Sequence, residues 1–135
     1  MVVSMDDLAF IDRLWADWSP GFDAAPELAA VKDALRDPAN LTAALGYYRA
    51  TLGAGARSPE HDAIEAAGAL PLTQPTLYLH GADDGCMGAE LITDALLTSM
   101  PHADSRIEVV PGTGHFLQLE DPATVNRLVL DFLAD

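Results

Sequence analysis

Two aspartates and a histidine occupy matching places in the second half of the sequence. Asp83 and Asp84 follow the short apolar run 76–80, "TLYLH", and His115 follows the similar run 106–110, "RIEVV". A carboxylate that accepts a hydrogen bond from one imidazole nitrogen fixes the tautomer of the ring. It also stabilises the imidazolium that forms when the other nitrogen takes a proton. Such a pair can act as a general base near neutral pH.

These residue types also have structural interpretations. Aspartates after a strand often form turns, and a loop histidine often only caps or hydrogen-bonds the backbone. A metal site built from His80, Asp83, Asp84 and His115 is possible in composition, but no His-x-x-x-His pair supports it, and we expect neither a metal nor another cofactor. The single cysteine, Cys86, excludes an internal disulfide and any multi-cysteine metal site, and we expect it to be a buried thiol.

The rest of the second half predicts how these loops are brought together. Both apolar runs are bounded by Pro or Gly and predict strands. Residues 88–100 predict a helix between them, and a last helix follows the cap residue Asp121. In the helix predicted at 88–100, we expect Leu91, Ala95 and Leu96 to face inward. Strand, helix, strand and helix in this order imply two parallel strands, whose carboxyl ends lie at one edge. Because a parallel sheet needs several strands and cover on both faces, this looks like part of a larger sheet.

The first part of the chain, about 4–55, predicts three helices. The first starts near Ser4, stops at Pro20-Gly21, and has apolar residues at spacings of three and four. These residues are Leu8, Ile11, Leu14, Trp15 and Trp18. The second follows Pro26, and the third begins after Asp37 and ends at Gly53, with Leu41, Leu45, Tyr48 and Leu52 on one face. Residues 53–75, rich in Gly, Ala and Pro, predict a connector with one helical turn near 60–67.

Composition restricts the partners. At a formal net charge of −14, nucleic acid and anionic lipid are poor partners, because both need a cationic face, and we expect the chain to bind neither. The sequence has neither a long apolar run nor a signal-peptide pattern, so we expect no membrane span and a cytoplasmic location. With 135 residues, half of them hydrophobic, the chain can bury a globular core.

The stretches "PTLYLHGADDG" and "VVPGTGHFLQLEDP", followed by the last amphipathic helix, resemble the C-terminal third of an α/β-hydrolase. The likeness covers about residues 71–134 and is to the epoxide hydrolase and haloalkane dehalogenase branch. It implies that Asp84, three residues after the strand-end glycine, is the catalytic acid and that His115 is the catalytic histidine. The expected fold class is α/β, with two parallel strands and flanking helices preceded by a helical cap. The implied domains are a cap at 1–55, a linker at 56–75 and the C-terminal part of the hydrolase core at 76–135.

The first part resembles the helical cap that such enzymes place over the active site. "LGYYRA" is similar to a cap segment in which epoxide hydrolases carry a tyrosine followed by an arginine. The resemblance implies that Tyr48 hydrogen-bonds an epoxide oxygen and stabilises the developing alkoxide. In the alternative, Tyr48 packs with Leu45 and Leu52. Trp15 and Trp18 either line the pocket of a small, mostly apolar substrate or belong to a core or interface.

The nucleophile of this family stands between two glycines on a strand-to-helix turn, as Gly-x-Ser-x-Gly or with Asp in the serine position. No serine of this chain has that spacing, so we expect the nucleophile on residues not present here. The expected function is therefore epoxide-hydrolase-like or ester-cleaving, through a covalent ester, in a C-terminal half that is inactive alone. The alternative is a non-catalytic module that dimerises or binds a partner through an exposed strand edge.

Overall fold

The computed structural model consists mainly of helices, with one small sheet. It describes residues 2–53, 55 and 57–134. The α-helices of this part are α1 (Ala9–Trp18), α2 (Ala25–Arg36), α3 (Pro38–Thr51), α4 (Pro59–Gly68), α5 (Asp94–Ser99), α6 (Leu117–Glu120) and α7 (Pro122–Ala134). The strands are β1 (Leu77–Gly81) and β2 (Arg106–Val110), and short 3-10 turns cover Val2–Ser4, Asp6–Leu8 and Ala89–Leu91. None of the helices in the described ranges is both long and apolar enough to cross a membrane.

The chain divides into two compact units. Unit 1 contains residues 1–13 and 24–70, and unit 2 contains residues 14–23 and 71–135. The C-terminal half of α1 thus belongs to the same unit as the strands. Every candidate residue after the connector also lies in unit 2.

The sheet of unit 2 confirms the predicted parallel strands. β1 pairs with β2 so that Leu77 lies opposite Arg106 and Gly81 lies opposite Val110. β2 has the predicted bounds, and β1 is shifted by one residue. Because the strands are parallel, the loops that leave their carboxyl ends meet, and the Asp83 N–H donates to the Thr113 carbonyl at 2.8 Å.

Unit 2 also exposes apolar side chains. In the described part of the chain the sheet has two strands, so each has one unpaired edge. Val109 on β2 is 42% exposed, and Leu130 and Leu133 on α7 are also exposed. A larger sheet with cover on both faces would bury such side chains.

The end of the chain forms a helix as predicted. The Thr124 N–H donates to the Asp121 carboxylate at 3.0 Å, which caps the first turn of α7. The same hydrogen bond is the main reason that the pKa of Asp121 is lowered.

The single helix predicted over 88–100 is wrong. A 3-10 turn and α5 are separated by Ile92 and Thr93, both with extended backbone. Both are β-branched, and such side chains favour extended backbone over a helix interior. Leu91 and Ala95, expected inward, are exposed.

The predicted start of the first helix near Ser4 is also wrong, because α1 begins at Ala9. Residues 6–8 have φ values of 51°, 53° and 63°, a left-handed backbone that cannot continue into a right-handed helix. The side chain of Asp7 accepts two hydrogen bonds from Arg36, at 3.1 and 3.0 Å. These bonds lower the pKa of Asp7.

Unit 1 contains the two other predicted helices and one that is longer than predicted. The Ala39 N–H donates to Asp37 at 2.8 Å, which confirms the cap before α3. In place of one turn near 60–67, α4 has ten residues. Ser58 caps α4, and Arg57 pairs with Asp62 at 2.9 Å. These local interactions stabilise a helix in a segment whose composition predicted a connector.

Candidate active site

The structure brings together the acid and the histidine that the sequence singled out. Nδ1 of His115 lies 2.9 Å from Oδ2 of Asp84, across the two loops that leave β1 and β2. The Asp84 side chain is 7% exposed and that of His115 is 29% exposed. When Nδ1–H donates to the carboxylate, Nε2 is the nitrogen that can accept a proton. The geometry is that of an oriented general base.

The backbone of its own loop holds Asp84 in place. Oδ1 accepts the N–H groups of Cys86 and Met87, at 2.8 and 3.0 Å. Burial alone would raise the pKa of Asp84. The hydrogen bonds from the Met87 N–H, from His115 and from the Cys86 N–H outweigh this, and the pKa is lowered. Asp84 is therefore an ionised carboxylate at neutral pH, with both oxygens engaged.

This lowered pKa predicts a pH-dependent contribution to stability. A carboxylate with a depressed folded pKa contributes stability that is fully present above its unfolded pKa, about 3.9, and is lost as pH falls through the lower folded value. We expect Asp84→Asn to lower the free energy of unfolding by about 1–3 kcal/mol between pH 5 and 7, with the difference narrowing below about pH 4. Urea titrations of both proteins from pH 7 to pH 2.5 measure this difference. Asp83→Asn, which removes the exposed neighbouring carboxylate, is the matched control. A constant difference at every pH would contradict the prediction.

His80 supports the loop that follows β1, residues 82–88, which is called the acid loop below. Its Nε2 lies 2.7 Å from the Met87 carbonyl oxygen, and its Nδ1 lies 2.9 Å from the Tyr78 hydroxyl. If the hydroxyl donates to Nδ1, then Nε2–H donates to the carbonyl, so both nitrogens of this buried ring are used within the protein. Across the described residues no group of three or more His, Cys, Asp or Glu side chains could hold a metal ion. The four-residue metal alternative therefore has no geometric support.

Trp18 lies beside His115. Trp15 is buried against the loop that follows β2, residues 111–116, which is called the histidine loop below. The Trp18 ring meets the His115 ring edge-on, with centroids 4.8 Å apart. Trp15 stacks on Phe116 at 3.9 Å and is part of the core of unit 2. Trp18 also has a backbone role that the sequence analysis missed. Its carbonyl oxygen accepts the N–H groups of Gly85, at 3.1 Å, and His115, at 3.0 Å, and so joins the acid loop to the histidine loop.

Tyr48 lies on α3, in unit 1. It is 58% exposed, and its ring meets that of Tyr47 edge-on at 5.6 Å. Leu52, expected on the same buried face, is 81% exposed. Burial on this face is therefore limited to Leu41 and, in part, Leu45. The epoxide-binding role of Tyr48 stays a prediction.

Two residues of the acid loop could be mistaken for a nucleophile. Residues 81–85 have the spacing Gly-x-Asp-x-Gly, with Asp83 in the middle, a match that the sequence analysis missed. The family's nucleophile needs a strained strand-to-helix turn. Outside glycine, positive φ values in the described ranges occur only at residues 6–8, so Asp83 lacks that turn. Cys86 is exposed, so the expected buried thiol is wrong. Desolvation and the nearby Asp84 raise the pKa of Cys86, which disfavours the reactive thiolate.

Comparison with known proteins identifies one hydrolase with a similar sequence. The chain is 30% identical over 95 residues to the epoxide hydrolase 3 of Xenopus tropicalis. This likeness indicates an α/β-hydrolase-like relationship. It covers 70% of this chain and 23% of that protein, so the chain spans about a quarter of the length of the relative it matches. No family model matches the sequence. The parallel strands and flanking helices of unit 2 are compatible with part of an α/β fold.

Proposed function

We propose that this chain supplies the acid, the histidine and the cap of an α/β-fold hydrolase that cleaves an epoxide or an ester through a covalent ester intermediate. The observation that carries the proposal is the 2.9 Å contact between His115 Nδ1 and Asp84 Oδ2. It lies at the carboxyl edge of two parallel strands, where reactive groups collect in open α/β sheets. The sequence likeness to an epoxide hydrolase supports the same chemistry.

In the proposed reaction His115 acts in the second step. If the nucleophile is a carboxylate, it attacks an epoxide carbon and forms an ester while the ring C–O bond breaks; Tyr48 gives a proton to the ring oxygen, and the carboxylic acid released in the second step returns it. If the nucleophile is a serine, His115 also takes the serine proton in the first step and passes it to the alcohol that an ester substrate releases. Nε2 of His115 then takes a proton from water, and the water oxygen attacks the ester carbonyl. Asp84 stabilises the imidazolium that results. When the ester breaks, the imidazolium returns its proton to the leaving oxygen, and His115 is neutral again.

The nucleophile of the proposal lies on residues outside this sequence. No serine has the spacing of the family's turn, and Asp83 lacks the strained backbone. The sheet edges that stay unpaired in the described part of the chain support the same idea, because further strands would bury the exposed Val109. Without such a partner, we expect the chain to be inactive.

The N-terminal helices form the cap in this proposal. The proposed cap is residues 1–55, of which residues 14–23 also belong to unit 2. Residues 56–75 would link the cap to the core, and 76–135 would complete the core. Tyr48 would donate a hydrogen bond to the substrate oxygen, and Trp18 would contact an apolar part of a small substrate. A cap excludes water, which strengthens the electrostatic interactions of the reaction. No cofactor is needed for this chemistry.

The proposal is tested with a completed chimera, in which the 135 residues follow the N-terminal part of the Xenopus epoxide hydrolase 3. We expect this chimera to hydrolyse epoxides or carboxylic esters, and assays with both substrate classes show which of them it accepts. The isolated chain, purified in the same way, is the control and is expected to be inactive. A chimera that is folded by circular dichroism and hydrolyses neither class would contradict the proposal.

A second function is favoured by the open strand edges. Among the residues that the structure describes, β2 has an unpaired edge and carries the exposed Val109, and such an edge can pair with a strand of another chain. The isolated chain would then be a non-catalytic module that forms a homodimer. Size-exclusion chromatography with light scattering tests this, with Val109→Lys as a variant whose charge opposes edge pairing. A monomer at all concentrations would rule out the dimer.

A further inference from the structure

A carboxylate on α6 binds the backbone on both sides of the catalytic histidine. Glu120 Oε2 accepts the Gly114 N–H at 2.7 Å, and Oε1 accepts the Phe116 N–H at 3.1 Å. The Ser19 hydroxyl donates to Oε1 at 2.7 Å. Hydrogen bonds to an ionised acceptor are about twice as strong as neutral ones. The peptides that flank His115 are therefore held by one charged group.

The backbone N–H of His115 itself, between these two peptides, is hydrogen-bonded as well. The His115 N–H donates to the Trp18 carbonyl at 3.0 Å, so three consecutive N–H groups have acceptors within unit 2. Ser19 is 2% exposed, and its hydroxyl also lies 3.3 Å from the Phe116 nitrogen. A Cβ on Gly114 would lie 2.6 Å from the Ser19 Cα, so the loop can approach this closely only with glycine. These hydrogen bonds and the close approach at Gly114 together fix the backbone position of the histidine loop.

This arrangement matters because Asp84 is fixed independently. The N–H groups of Cys86 and Met87 hold its carboxylate from within the acid loop. The imidazole must therefore be brought to the carboxylate, and the position of the His115 backbone decides whether Nδ1 arrives within hydrogen-bonding distance. Displacements of about 1 Å can cost about 100-fold in rate.

We propose that Glu120, together with Ser19, is a positioning residue for His115. It holds the histidine loop so that Nδ1–H meets Asp84 and Nε2 stays available as the base. This inference rests on the proposed function, because it assigns Glu120 a task in the same site. Glu120 acts through the loop backbone and touches neither the substrate nor the reacting atoms.

A purely structural role for Glu120 makes a different prediction. Phe116 immediately precedes α6, and Glu120 is the last residue of that helix. In a purely structural role, the hydrogen bond between them would do no more than cap the first turn of α6. Removing the carboxylate would then lower stability but leave the imidazole of His115 in the same tautomer. The tautomer therefore distinguishes the two roles.

The experiment measures the ring of His115 in the full 135-residue chain labelled with nitrogen-15. Long-range proton–nitrogen spectra report which ring nitrogen carries the proton. We expect the Nδ1-protonated tautomer to dominate in the wild type and in Gln118→Ala, an exposed control position on the same helix. In Glu120→Ala the Nε2-protonated tautomer is expected to become the major form. Glu120→Gln, which keeps one acceptor oxygen, is expected to be intermediate.

Each result decides the proposal. If Glu120→Ala fails to fold, Glu120→Gln and Ser19→Ala decide it by the same spectra. Wild-type ring signals in the folded variants would overturn the positioning role, and the proposed function would be unaffected. Conversely, if His115→Ala leaves the turnover of the completed chimera unchanged, the proposed function fails, whether or not the ring signals of the isolated chain respond to Glu120.

Discussion

The His115→Ala variant of the completed chimera is expected to accumulate the covalent ester and to turn over about 1,000-fold more slowly than the unmodified chimera. With a carboxylate nucleophile and an epoxide substrate the first step needs no base, whereas the second needs a base that takes a proton from water. General base catalysis contributes about 10²–10⁴-fold. Intact-protein mass spectrometry after brief mixing with substrate should show the added mass of the substrate on the protein.

The control for this variant is another histidine of unit 2. The His102 ring accepts the Asp104 N–H at 3.2 Å and lies 3.6 Å from the Asp104 carboxylate, so these side-chain contacts are local, and His102→Ala is expected to keep normal turnover without the added mass. If His115→Ala slows turnover but no ester accumulates, His115 would be needed before the ester forms, as it is with a serine nucleophile, and the order of steps expected for a carboxylate nucleophile would be wrong. Unchanged turnover would remove His115 from the reaction altogether.

The meeting of Asp84 and His115 could be predicted because it depends on local patterns. Each follows a short run of apolar residues, and a helical segment between the runs implies parallel strands. Parallel strands place their carboxyl ends at one edge whatever their exact bounds, so an error of one residue in β1 did not separate the two loops. Topology thus brings together two loops whose residues Asp84 and His115 are 31 positions apart in the sequence.

Other parts of the site leave no pattern in the sequence. Ser19 and Glu120 are 101 residues apart, and nothing in either residue type points to the other. Trp18 joins the loops through its carbonyl oxygen, a group that every residue has. A backbone acceptor can only be recognised once the chain is folded.

Where tertiary contacts determine the backbone conformation, the secondary structure differs from the one that the local sequence pattern predicts. The sequence predicts a helix from Ser4, but residues 6–8 adopt positive φ, and Asp7 bonds Arg36 on another helix. Asparagine and aspartate tolerate this conformation better than most residues, but Leu8 does not. Since Leu8 is buried, its packing offsets the strain in its backbone.

The Asp84→Asn variant of the chimera is expected to lose about 10⁴-fold in turnover while it still folds. Asparagine keeps the shape of the side chain, and its oxygen can still accept the N–H groups of Cys86 and Met87. Its amide nitrogen would then face Nδ1 of His115 and favour the tautomer that is protonated on Nε2, which cannot act as the base. The corresponding change in a serine protease triad has an effect of this size.

Asp83→Asn is a matched control for this prediction, because it removes a carboxylate from the adjacent residue of the same loop. Asp83 is exposed, and its backbone N–H contact with Thr113 does not depend on its side chain. We expect turnover within about two-fold of the unmodified chimera, since surface substitutions away from such features cost little. If both variants lost activity equally, the negative charge of the loop would matter, and the 2.9 Å contact would not. If only Asp83→Asn did, the Gly-x-Asp-x-Gly stretch would contain the nucleophile after all, and the source of the first step would lie within these 135 residues.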